Sequence, residues 1–123
     1  IKENGKELCT GFSREEGRNS LISEGCNIEG HIDFSVLFAG VTIEPGAVVR
    51  DSIIMPNTMI KKGAVVEYAI VGEDCVIGEN VKVGARPESI EDKDTWGVAV
   101  IGHGVTVSDN AEIKPKAMIS ADV

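Results

Sequence analysis

Large aliphatic side chains punctuate residues 43–83 at Ile43, Val49, Ile54, Ile60, Val66, Val71, Ile77 and Val83, with spacings of 6, 5, 6, 6, 5, 6 and 6. Every position therefore recurs after three such steps. Ile43, Ile60 and Ile77 form one column, Val49, Val66 and Val83 a second, and Ile54 and Val71 a third. Four residues after each lies a second inward candidate, mostly smaller: Ala47, Ile53, Thr58, Ala64, Ile70, Cys75 and Val81. A period close to six residues predicts an all-β chain wound as a parallel β-helix. Each strand in such a coil is too short to bury its face alone and gains stability when the next coil stacks on it.

A helical reading of the same residues fails, because Gly25, Gly40, Gly46, Pro56, Gly63, Gly72 and Gly78 interrupt every window at a cost a helix interior does not tolerate. Short strands bounded by turns survive: Ala47-Val48-Val49, Ala64-Val65-Val66 and Val81-Lys82-Val83, each reached through a polar corner. A four-residue phrase marks one corner of each coil: Asn19-Ser20-Leu21-Ile22, Phe34-Ser35-Val36-Leu37, Asp51-Ser52-Ile53-Ile54 and Tyr68-Ala69-Ile70-Val71. The interval from Ile22 to Leu37 is two residues shorter than those from Leu37 to Ile54 and from Ile54 to Val71, so the first coil is abbreviated. The rhythm breaks over residues 84–97, GARPESIEDKDTWG, and resumes at Ile101, Val107, Ile113 and Ile119. About five coils result, occupying residues 19–123 with one inserted loop. Loops of that length inside a compact domain are uncommon and often functional. Residues 1–18 show none of these periods; they read as a connector from an upstream domain or as a disordered tail. Ile1 is no initiator residue, which favours an upstream continuation.

Composition supports a narrow solenoid: five aromatic residues against 14 glycines leave stacked Val, Ile and Ala to fill the interior. A net charge of −8 argues against a nucleic-acid partner, since phosphate binding needs a basic face and none is evident in the sequence. No apolar run reaches membrane-spanning length and no signal peptide is visible. Cys9, Cys26 and Cys75 lack metal-type spacing. Cys26 and Cys75 share a column three coils apart. At about 4.8 Å per strand that is roughly 14 Å, beyond the about 7 Å reach of a disulfide. Reduced thiols fit a cytoplasmic protein.

Candidate chemistry is sparse. The glycine-rich fragments at 72–78 and 102–104 each lead into a strand triplet, whereas a phosphate loop must open a helix. Two histidines, His31 and His103, are too few for a three-histidine zinc site. Either could act as a general base, yet no orienting partner is identifiable for it in the sequence. The carboxylates fall at corners and in the insertion, and Arg50, Lys61, Lys62, Lys82, Arg86, Lys114 and Lys116 fall mostly at corners; both read as solvated faces. Trp96, the sole tryptophan, is expected to pack the insertion against a coil.

The phrases Asn19-Ser-Leu-Ile-Ser-Glu-Gly-Cys-Asn-Ile-Glu-Gly30, Ser35-Val-Leu-Phe-Ala-Gly-Val41, Asp51-Ser-Ile-Ile-Met-Pro56, Ala69-Ile-Val-Gly72 and Gly97-Val-Ala-Val-Ile-Gly-His-Gly-Val105 resemble the C-terminal β-helix domain of bacterial glucose-1-phosphate adenylyltransferase. The resemblance implies left-handed coiling and a parent enzyme that makes ADP-glucose and pyrophosphate from ATP and glucose 1-phosphate with Mg²⁺ in glycogen synthesis. It implies that the ATP and Mg²⁺ sites belong to a missing N-terminal catalytic domain, and that this chain is itself not catalytic and serves regulation and tetramer assembly. Beyond that domain and further copies of the chain, it implies an anionic effector, with His103 and, secondarily, Arg86 as contacts. The alternative is a β-helix acyltransferase with an inter-subunit active site using His103. Unpaired strand edges at the solenoid ends also predict end-to-end pairing.

Overall fold

The computed structural model describes residues 20–91, 94 and 96–123, together with the strands Lys2–Glu3, Lys6–Glu7 and Cys9–Thr10. Lys2–Glu3 and Lys6–Glu7 pair antiparallel; every other strand pairing among the described residues is parallel and in register. Three sheets form the faces of the solenoid.

The first face stacks Leu21–Ile22, Val36–Leu37, Ile53–Ile54, Ala69–Val71, Ala99–Ile101 and Met118–Ile119. The second stacks Cys9–Thr10, Cys26–Ile28, Thr42–Ile43, Met59–Ile60, Val76–Ile77 and Thr106–Val107. The third stacks His31–Asp33, Val48–Arg50, Val65–Glu67, Lys82–Val83 and Glu112–Ile113. The chain is a parallel β-helix of about six turns, and the predicted large-residue columns form its core. Ile43, Ile60 and Ile77, Val49, Val66 and Val83, and Ile54 and Val71 are all fully buried.

Two positions differ from the sequence reading. Ile53 and Ile70, expected to point inward, are only partly buried, and the inward positions are Ser52 and Ala69. The cause is the five-residue step from Val49 to Ile54 and from Val66 to Val71. Asp51 and Tyr68 turn this tight corner at φ 50°, so the side chain four residues after Val49 or Val66 emerges outside. A buried hydroxyl is tolerated at Ser52 because a serine ladder satisfies it. Ser52 donates to the Arg50 carbonyl at 2.7 Å and accepts from the Ala69 amide at 3.2 Å, while Ser35 accepts from the Ser52 amide at 3.3 Å.

The insertion leaves the coil without disturbing its register. Val71 pairs with Ile54 on one side and with Ile101 on the other, so the stack absorbs the whole insertion in one corner. A short 3₁₀ turn, Pro87–Ser89, begins the excursion.

Candidate functional site

Two corners gather polar chemistry. The first joins the third face to the first, where the insertion departs. Register aligns Asp33 with Arg50 and Arg50 with Glu67, giving a column of alternating charge at the edge of the third face. The next residues, Phe34, Asp51 and Tyr68, occupy the left-handed backbone region at the corner and project outward over it. Arg86, the second residue past Gly84, reaches back: its Nε donates to Glu67 Oε2 at 2.9 Å, and Arg50 Nη1 lies 3.6 Å from the same oxygen. Trp96 closes the excursion by donating from Nε1 to the Ala85 carbonyl at 2.6 Å and meeting Tyr68 edge-on at 5.5 Å. The tryptophan therefore packs the insertion onto a coil, as its sequence position predicts.

Together Asp33, Phe34, Arg50, Asp51, Tyr68, Arg86 and Glu88 line an open groove of about 610 Å³. Burial, with the nearby carboxylates of Asp51, Glu88 and Glu67 acting against Arg86, holds the Tyr68 phenol above its ordinary value. The hydrogen bond and charge of Glu67 hold Arg86 more firmly protonated. Glu67, whose side chain is only 12% exposed, is thus the hub of the corner, contrary to the expectation that the acids here are all solvated. Its burial is explained by two guanidinium partners, a pairing invisible in sequence because Arg50, Glu67 and Arg86 belong to different turns of the coil.

The second corner joins the first face to the second. Gly102, His103 and Gly104 sit directly above Glu73 and Asp74 because Val71 and Ile101 are in register. His103 Nδ1 lies 3.4 Å from Glu73 Oε1, and one ligand atom from each of Glu73, Asp74 and His103 falls within a 4.8 Å cluster. His103 is 67% exposed and all three residues face solvent, so a divalent ion held here would remain largely hydrated. Sequence alone offers His103 no orienting partner; Glu73 supplies one, brought close by looping out the insertion. His31 lies on the outer side of the third face beside Val48 and is exposed. Arg86 and His103 consequently stand on different corners of the solenoid.

Residues 10–108 match the family described as GlmU-like, C-terminal hexapeptide. The chain is also 62% identical over 37 residues to the glucose-1-phosphate adenylyltransferases of Bacillus thuringiensis (strain Al Hakam) and Bacillus anthracis. The aligned segment is 30% of this chain and 10% of either relative's length, so the chain spans only a small part of the proteins it matches. Among solved structures, the acetyltransferase domain of PglB from Neisseria gonorrhoeae FA1090, in complex with acetyl coenzyme A, is similar with a TM-score of 0.38 and 19% identity. That likeness covers 79% of this chain and 49% of the other. Native serine acetyltransferase 1 from Entamoeba histolytica gives 0.35 and 16%, covering 87% and 40%.

Proposed function

The chain belongs to the GlmU-like, C-terminal hexapeptide family, and from that premise we propose that it is the C-terminal domain of a glucose-1-phosphate adenylyltransferase, serving assembly and regulation and not catalysis. The observation that carries this reading is the 62% identity over 37 residues to the Bacillus enzymes. Hexapeptide coils are common to many proteins, but a run of that identity reaches into the outward-facing residues, which the coil itself leaves unconstrained.

On this reading the parent enzyme works in the cytoplasm on ATP and glucose 1-phosphate. Its nucleotide and Mg²⁺ are held by a separate N-terminal domain that the β-helix supports. The solenoid contributes a rigid body and two polar corners; an anionic effector would meet His103 at one or Arg86 at the other. The test uses both the chain and the full-length protein. The chain alone, given ATP, glucose 1-phosphate and Mg²⁺, is expected to form no ADP-glucose, and the coding sequence upstream of Ile1 to encode a nucleotidyltransferase domain. In that full-length protein, His103→Ala and Arg86→Ala are expected to weaken the response to anionic effectors while sparing basal turnover. A natural start codon at Ile1 would refute the proposal.

One observation favours a second reading. Glu73 beside His103 Nδ1 is the arrangement that would hold an imidazole as a general base through Nε2. An acyltransferase reading predicts transfer from acetyl coenzyme A to an amine or hydroxyl acceptor by the chain alone, abolished by His103→Ala. Robust transfer of that kind would replace the first proposal.

A further inference from the structure

The charges of the groove at the first corner do not balance. Asp33, Asp51 and Glu88 line it with Glu67 at its edge, against Arg50 and Arg86: four carboxylates to two guanidiniums, a net charge of −2. Both guanidiniums are committed to Glu67, at 3.6 Å and 2.9 Å. Register sets Asp33 beside Arg50, yet Arg50 turns to Glu67, and among the described residues Asp33, Asp51 and Glu88 enter no ion pair. Asp33 Oδ1 is shut off from solvent without a hydrogen-bond partner, and burying such an acceptor is costly until a donor reaches it. Aromatic surface stands next to these acids. Phe34 is 56% exposed. Phe34, Asp51 and Tyr68 follow one another up the corner, so the two rings lie roughly 10 Å apart, at about 4.8 Å per coil, with a carboxylate between them.

We infer that this groove is a binding site for a guanidinium group. Its net negative charge disfavours an anion and draws a cation. Among cations the lining suits a planar one. A guanidinium offers parallel N–H groups to a carboxylate, stacks on an aromatic face while doing so, and gives up its water more readily than an ammonium. The chain displays the same chemistry internally, where Arg50 and Arg86 converge on one oxygen of Glu67. A bound guanidinium would lie against Phe34 with its N–H groups donated to Asp33 and Asp51, while Glu88, on the 3₁₀ turn of the insertion, adds a further carboxylate to the lining. A volume of about 610 Å³ leaves room for the carbon chain that carries the group. That chain belongs either to a small molecule or to the arginine of a peptide. The inference is independent of the parent enzyme's activity. It assigns the Arg86 corner to a cation and leaves His103 as the contact for an anionic effector, so its failure would leave the proposed function standing.

The test titrates two ligands into the isotope-labelled chain, followed by amide NMR: agmatine, a guanidinium on a four-carbon amine, and a blocked glycyl-arginyl-glycine peptide. Saturable shifts are expected at Phe34, Asp51, Tyr68 and Arg86, with a dissociation constant on the order of 1 mM for the better ligand. Whichever binds more tightly identifies the source of the group. Putrescine, with an ammonium where agmatine has its guanidinium, should bind at least about fivefold more weakly. Asp33→Asn should weaken agmatine binding about tenfold and Phe34→Ala about threefold. Glu112→Gln removes the same charge four coils away, roughly 19 Å at about 4.8 Å each, and beyond the screening length should change binding by less than about twofold. If Asp33→Asn fails to fold, Glu88→Gln on the exposed insertion supplies the same test, with a loss of about threefold. Absence of saturable shifts with tens of millimolar of either ligand overturns the inference. So does putrescine binding as tightly as agmatine, or Glu112→Gln matching Asp33→Asn. Inorganic phosphate or maltose shifting the same amides at lower concentration than agmatine also overturns it, and the phosphate result would return Arg86 to an anionic effector.

Discussion

Gly84, at the corner from which the insertion departs, and Gly104, at the corner joining the first face to the second, form a matched pair of probes. Their φ angles are +71° and +70°, so an alanine at either meets the same left-handed backbone penalty, about 1–2 kcal/mol. Their surroundings differ. A Cβ at Gly104 meets nothing within 4 Å, whereas one at Gly84 runs into the carbonyl oxygen of Glu67 and lies 3.3 Å from its carbon. Backbone atoms cannot rotate aside as a side chain can, and relief of such an overlap costs about a further 1–3 kcal/mol by analogy with overpacked cores. Gly104→Ala is therefore expected to lose about 1–2 kcal/mol and Gly84→Ala about 2–5 kcal/mol, a serious fraction of the about 5–15 kcal/mol a domain possesses. Urea unfolding followed by circular dichroism measures both. The sole tryptophan, Trp96, hydrogen-bonded to the Ala85 carbonyl next door, reports by native-state emission whether the insertion has shifted. Equal losses within about 0.5 kcal/mol, with Trp96 emission unchanged, would refute the claim that Gly84 is fixed by close approach to Glu67.

Three further outcomes probe the groove and the core. Glu67→Gln weakens the 2.9 Å charge-assisted bond to Arg86 and the 3.6 Å contact with Arg50; because both guanidiniums reach water the loss of stability is expected to be small, and a double-mutant cycle with Arg86→Gln should show coupling between the two residues, strictly additive losses contradicting the pairing. Tyr68 titrates above its ordinary 10.0 in the fold because partial burial and the nearby Asp51 and Glu88 carboxylates disfavour the phenolate. The unfolded chain therefore ionises first, and the stability held below pH 10 is lost as pH rises through the folded value; Tyr68→Phe should flatten that alkaline limb of the unfolding profile, and an identical limb would remove Tyr68 as its source. Burial likewise holds the Cys75 thiol above 9.0, with Sγ 2.9 Å from the Gly102 carbonyl oxygen, so alkylation mapped by mass spectrometry should be on the order of 10²-fold slower at Cys75 in the native chain than in urea, and equal rates would contradict its burial.

What the sequence disclosed depended on which residues the repeat itself constrains. The inward columns were legible because a narrow core accepts only Val, Ile, Leu and small residues at fixed intervals, and Ile43, Val49, Ile54 and their repeats obey that restriction. The inward expectation for Ile53 and Ile70 fails because it carries the four-residue offset of a six-residue step into the steps of five. Nothing in hydrophobicity alone separates an inward Ile54 from an outward Ile53. The informative signal was polar: Ser35 and Ser52 precede Val36 and Ile53 at the same corner, and a serine ladder needs a buried column of amides to bond. The pairings at the two corners were hidden for another reason. Glu67 meets Arg86 because Val83 stacks on Val66, and Glu73 meets His103 because the insertion is looped out between Val71 and Ile101, so partners distant along the chain come together.

Function on this solenoid belongs to its outward positions. If inward positions are set by the core, selection for interaction has only the outward ones on which to act, and these record it in two ways. At the break in the repeat the insertion brings Arg86 and Trp96 back onto Glu67 and Tyr68 and builds the polar groove. Along the unbroken repeat no loop is needed: Leu21, Val36, Ile53, Ile70, Val100 and Met118 turn the regularity into an apolar strip the full height of the stack. The outward columns of the other two faces are mixed, with Asn27, Thr42, Met59, Val76 and Thr106 on the second and His31, Val48, Val65, Lys82 and Glu112 on the third. Leu21 and Met118, exposed at the two ends of that strip, forgo the burial that stabilises the inward columns, so the strip is the part of the regular coil where covering apolar surface would add most to stability.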